Sequence, residues 1–120
     1  MTVQPVIIVA SAVPALTSAL RASAPELEVM EASAISSGFD AEGPVRCFVD
    51  WLLPDTSGLE MCRRLRGSAA TMDAHITLAL EEDTDEARRR AMRSGADDYM
   101  IGPLAVEHLL ARLGEHQAAR

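Results

Sequence analysis

Short apolar runs alternate with longer amphipathic segments along the whole chain. Val6-Ile7-Ile8-Val9 is β-branched and uniformly apolar, the pattern of a strand buried on both faces. Leu16, Ala19, Leu20 and Ser23 follow at helical spacing, and Pro25 ends that segment. Leu27 to Met30 predicts a weak second strand. Residues 33–44 hold two Gly, three Ser and a Pro, which predicts a short or irregular element. Arg46 to Val49 predicts a third strand that delivers Asp50 at its carboxyl end. Pro54 and Gly58 bracket a loop, and Leu59, Cys62 and Leu65 mark one face of a helix. Ile76 to Leu80 predicts a fourth strand. Asp83 and Glu86, three apart, resemble a capping box for the next helix, with arginines later and Gly95 as its stop. Tyr99-Met100-Ile101 predicts a fifth strand. Val106, Leu109, Leu110 and Leu113 repeat at i, i+3, i+4 and i+7 in a final helix.

Five strand-then-helix alternations imply an α/β fold: a doubly wound, five-stranded parallel sheet with helices on both faces. The flavodoxin-like strand order 2-1-3-4-5 is expected, and functional groups should gather at the carboxyl ends of the strands. Those ends present Ala10 and Ser11, Asp50, Leu80 and Gly102. One domain over residues 3–118 accounts for the chain.

Composition narrows the function. With two Phe, one Trp and one Tyr, aliphatic side chains and Met must fill the core. The net charge of -7 repels a phosphate backbone, so direct nucleic-acid binding is not expected. Cys47 and Cys62 are too few for a disulfide framework or a four-ligand zinc site; they read as reduced, buried thiols in a cytoplasmic protein. His75, His108 and His116 have no metal-ligand spacing. No apolar run approaches about 20 residues, so no membrane span is expected. Val6 to Leu16 could pass for a signal-peptide core, but no basic residue precedes Arg21.

Two segments carry a family resemblance. Val49-Asp50-Trp51-Leu52-Leu53-Pro54-Asp55-Thr56-Ser57-Gly58-Leu59-Glu60 resembles the phosphoacceptor loop of two-component response regulators, especially the OmpR/PhoB type. Ser94-Gly95-Ala96-Asp97-Asp98-Tyr99-Met100 resembles their entry to strand five, and Pro103 follows in register. The resemblance covers nearly the whole chain and implies a CheY-like receiver domain. It implies that Asp50 stands where a histidine kinase places a phosphoryl group. It also implies four helpers: an acidic pair after strand one that holds Mg²⁺ with a backbone carbonyl (here that of Leu52), a hydroxyl ending strand four, and a lysine before the strand-five proline.

The helpers are replaced. Ala10 and Ser11 occupy the acidic pair, Leu80 the hydroxyl position and Gly102 the lysine position. No Asp or Glu occurs before Glu26, so no shift of register restores the pair. Thr77 lies three residues before Leu80 and should face the other side of the strand. Mg²⁺ binding is therefore expected to be lost, and Asp50 is expected not to be phosphorylated. No enzymatic activity is assigned. Tyr99 takes the family's switch-aromatic position and reads as a packing or interface residue. Asp97 and Asp98 read as loop residues rather than a metal pair.

The resemblance also implies a dimer face on the helix before strand five, strand five and the last helix. Arg88, Asp98, His108 and Arg112 are the candidates on it. The acidic run Glu81, Glu82, Asp83, Asp85 and Glu86 reads as a solvated helix start, with a basic partner as the alternative. The expected role is a phosphorylation-independent interaction or dimerisation module of a bacterial signalling pathway, with protein partners and no cofactor. Two alternatives stand beside it. One is a working receiver phosphorylated on Asp50, either stand-alone or the N-terminal part of a transcription regulator. The other is a pseudo-receiver whose less polar pocket, between Leu80 and Gly102, binds a small ligand. No effector domain is expected within these residues.

Overall fold

The structure, a computed structural model, describes residues 6–32 and 44–118. The irregular element expected over residues 33–44 lies, except for Pro44, outside the described residues. The elements are β1 (Val6–Ala10), α1 (Pro14–Ser23), β2 (Glu28–Glu31), β3 (Val45–Val49), α2 (Gly58–Arg66), β4 (His75–Leu80), α3 (Asp85–Arg93), β5 (Asp98–Ile101) and α4 (Val106–Ala118). The strands form one parallel sheet in the order β2-β1-β3-β4-β5. That is the strand order expected from the alternation of elements.

The uniformly apolar strands are explained by two cores, one on each face. Val6, Ile8, Cys47, Val49, Ile76, Leu78 and Leu80 point to one side and meet Cys62 and Leu65 of α2 and Ala91 of α3. Ile7, Val9, Phe48, Ala79 and Met100 point to the other and meet Leu16 and Leu20 of α1 and Leu109 and Leu113 of α4. Successive strand residues thus feed opposite cores, so most positions in the central strands are apolar, with Arg46 and Thr77 as buried exceptions. Each fully buried Leu, Ile or Phe contributes about 1.5–3 kcal/mol.

The helix starts show how local sequence sets the boundaries. Ser57 caps α2, its Oγ accepting from the Glu60 N–H at 3.2 Å. Ser57 and Glu60 have capping-box spacing, a signal in the sequence that marks this helix start. At α3 the cap is Thr84, whose Oγ1 accepts from the Ala87 N–H at 3.1 Å. This corrects the expectation of Asp83 as the cap. The helix begins one residue later, and the Asp83 carboxylate instead pairs with Arg88. Gly95 follows the last helical turn with φ +108°, as expected of the stop signal.

Candidate functional site

The site forms where β1, β3, β4 and β5 end. The Asp50 N–H donates to the Ala10 carbonyl at 2.9 Å, and the Gly102 N–H donates to the Leu80 carbonyl at 2.9 Å. These bonds extend the β1–β3 and β4–β5 ladders by one step. They hold Ala10 beside Asp50 and Gly102 beside Leu80. Asp50 is half-buried, and its Oδ1 accepts from the Trp51 N–H at 2.9 Å. The loop beyond it is tight: the Gly58 N–H donates to the Trp51 carbonyl at 2.7 Å, and the Leu53 N–H to the Thr56 carbonyl at 3.0 Å.

Asp50, Trp51, Leu52, Leu80, Glu81, Gly102 and Pro103 line a cleft of about 310 Å³. Three of the five residues predicted at the strand ends, Asp50, Leu80 and Gly102, therefore line one cleft. Leu80 is buried and closes the floor with a side chain that cannot hydrogen-bond. At Gly102, φ is +91° and a Cβ would meet nothing within 4 Å. The space where a longer side chain would stand is open. Ala10 and Ser11 line a separate hollow with Glu31, Leu53, Pro54 and Asp55. The Ser11 Oγ accepts from the Val13 N–H at 3.0 Å, serving the start of α1.

Glu81 is the residue of this cleft that strand-end reasoning did not single out. It leaves β4 directly after Leu80 and is the second acidic residue to line the cleft that Asp50 lines. Neither acid takes part in an ion pair among the described residues. Nor can a lysine of this chain answer them: all eleven basic residues are arginine. Among the described residues, no group of three or more His, Cys, Asp or Glu is placed to hold a metal ion.

The other candidates lie on the far side of β4. Tyr99 pairs with Leu78 across the ladder and packs, partly buried, against the core under α2 and α3. Arg112 reaches from α4 to Asp98 at 2.7 Å and to the Tyr99 carbonyl at 3.1 Å. Arg88 pairs with Asp83 and Asp85, and the Asp85 hydrogen bond foremost holds its guanidinium above the ordinary value. His108 is exposed on α4. Asp97 does not pair with Asp98; it accepts from the Ile76 N–H and from Arg66. Arg88, Asp98 and Arg112 thus all find partners within one chain.

No family model matches the chain. The phosphate regulon transcriptional regulatory protein PhoB of Rhizobium meliloti is 35% identical over 94 residues, 73% of this chain and 41% of that protein. Response regulator RppA of Synechocystis is 45% identical over 65 residues, 54% of this chain and 27% of that protein. The chain spans less than half the length of these curated relatives. Among solved structures, the response regulator DrrB of Thermotoga maritima, an OmpR/PhoB homologue, superposes with a TM-score of 0.72 at 21% identity, over 98% of this chain and 54% of that one. A CheY-like receiver domain protein from Methanospirillum hungatei superposes with a TM-score of 0.69 at 18% identity, over 96% and 94%. These two share the fold.

Proposed function

The chain is a receiver domain of the two-component response-regulator family, related to the PhoB and OmpR type, and from that premise we propose that it works as a phosphorylation-independent protein-interaction module. The observation that carries this reading is the chemistry of the Asp50 cleft. Its charged lining is two carboxylates, Asp50 and Glu81, with no cation among the residues that line it. A phosphoryl group on Asp50 would find an acidic neighbour, Glu81, and no cation among the residues lining the cleft. Phosphoryl transfer relies on cationic and metal clamps for the charge on the transferring oxygens.

Mg²⁺ does not fit the residues present. Ala10 offers a methyl group, Ser11 turns its oxygen to the Val13 N–H, and Asp50 is left as the one carboxylate at the end of β3. A receiver switches because phosphate favours one of its two conformations. Without that input, the resting population is set by sequence, and output follows from partner binding. On the face formed by α3, β5 and α4, Arg88 and Arg112 already hold partners within the chain, which lowers the gain from pairing them across a dimer. The reading covers docking to another protein first and dimerisation through that face second.

Retention of Asp50 itself favours the second reading, a working receiver. The two separate by incubation with phosphoramidate and Mg²⁺ followed by intact mass measurement. The module reading expects no phosphoryl adduct. An adduct that disappears in Asp50→Asn would restore the phosphate-driven switch.

A further inference from the structure

The Asp50 cleft does not end at Glu81. A second hollow of about 260 Å³ is lined by Trp51, Glu81, Glu82, Thr84, Glu86, Ala87 and Arg90. Trp51 and Glu81 line both, so the two hollows adjoin and together run from Pro103 to the first turns of α3. Its charged groups are Asp50, Glu81, Glu82 and Glu86 against Arg90, and Arg90 is already paired with Glu86 at 3.2 Å. Three carboxylates are left without an ion-pair partner among the described residues. Apolar surface lies between them: Leu52 is 69% exposed, and Trp51 and Pro103 form the adjoining walls.

We infer that this groove docks a basic segment of a partner protein, with one cationic side chain reaching between Asp50 and Glu81 and apolar neighbours seated on Leu52 and Trp51. The inference rests on the interaction-module reading and names its surface. Charge complementarity selects the occupant. A cation entering beside Gly102 meets open space and a lining with two acidic residues, and Trp51, also on that lining, is an aromatic neighbour of the kind cations favour. The net charge of -7 adds long-range attraction for a basic partner. Anionic and purely apolar segments gain nothing comparable, because the first is repelled and the second leaves the carboxylates buried and unpaired.

Trp51 is the single tryptophan of the chain, so its emission reports the groove directly. The probe is the acetylated, amidated peptide Leu-Lys-Leu-Lys-Leu, which is itself dark at tryptophan wavelengths. Its Glu-containing counterpart and n-butylamine serve as controls. The expected result is a saturable change in Trp51 emission with the basic peptide alone, weakened by added salt. Asp50→Asn and Glu81→Gln, both nearly isosteric, should each weaken binding about twofold to tenfold. A response equal for the acidic peptide, equal for butylamine, untouched by both substitutions, or produced by self-association at rising protein concentration would overturn the inference. Silence toward the peptide, in a protein also silent toward Mg²⁺ and beryllofluoride, would overturn this docking surface alone. A beryllofluoride response would overturn the module reading beneath it.

Discussion

Gly58 seats directly against the Asp50 carbonyl: a Cβ on Gly58 would lie 2.3 Å from that oxygen and 2.8 Å from Leu78 Cδ1. The first residue of α2 is thus packed onto the end of β3, and the loop between them has no slack. Ser57 caps the same helix, so cap and contact together fix where Asp50 and Trp51 stand.

Gly58→Ala should therefore destabilise the fold by at least about 2 kcal/mol, because the atoms met are backbone and a core side chain. Urea unfolding measures it. A loss under about 0.5 kcal/mol would show that the loop yields easily.

Arg66 ties three parts of the chain that are distant in sequence. Its guanidinium donates to the carbonyls of Gly95 (2.8 Å), Met72 (2.9 Å) and Ala74 (2.6 Å) and pairs with Asp97. Asp97 is largely exposed, so the carbonyl bonds carry most of the stabilisation. Arg66→Lys cannot reproduce the fork and should lose about 1–3 kcal/mol. An unchanged midpoint in urea would contradict that assignment.

The strands, the sheet order and the presence of the helices were legible because the central strands face two cores and each helix has one apolar stripe. What was not legible depended on distance in space. Arg66 looks like any arginine on the polar face of α2, and nothing local announces that it reaches Gly95. Asp83 and Thr84 are both able caps, and only the backbone at Thr84 decides between them. Arg88 and Arg112 read as interface charges from the resemblance, yet each closes a pair within the chain. At the site, the replacements at Ala10, Ser11, Leu80 and Gly102 were visible as residue types. The second carboxylate in the cleft was not, since Glu81 looked like part of a solvated run.

Arg46 enters the core as a charged residue at the start of β3. It is 6% exposed, its guanidinium lies 5.6 Å from the Phe48 ring, and its Nε has no hydrogen-bond partner. Burial first, and then Arg112, lower its pKa, while Asp98 opposes them. Arg46→Met keeps the apolar stem and removes the buried charge with its unpartnered Nε. Stability should stay level or rise by up to about 2 kcal/mol. A clear loss would mean that Arg46 makes a contact of real worth.

Alkaline pH should expose the buried thiols. Burial pushes Cys47 up to about 12 and moves Cys62 in the same direction. The unfolded thiols ionise first, near pH 9, while the native ones hold their protons. The Cys47 contribution is thus complete below about pH 9 and is lost as pH rises toward 12, at up to about 1.4 kcal/mol per pH unit, and Cys62 acts in the same direction. The chain has no lysine and one tyrosine to compete with that signal. Urea midpoints from pH 8 to 11 should fall, and Cys47→Ala should flatten the fall. A flat profile in the parent protein would contradict burial of both thiols.

The central claim is that the Asp50 cleft does not accept a phosphoryl group. It is tested most directly by titrating the labelled protein with Mg²⁺ and beryllofluoride while following backbone amide shifts. The account predicts no saturable change at Asp50, Trp51, Leu80 or Gly102, and none at Tyr99. Shifts that cluster at Asp50, spread to Tyr99 and saturate at millimolar Mg²⁺ would contradict it and identify a phosphate-driven switch.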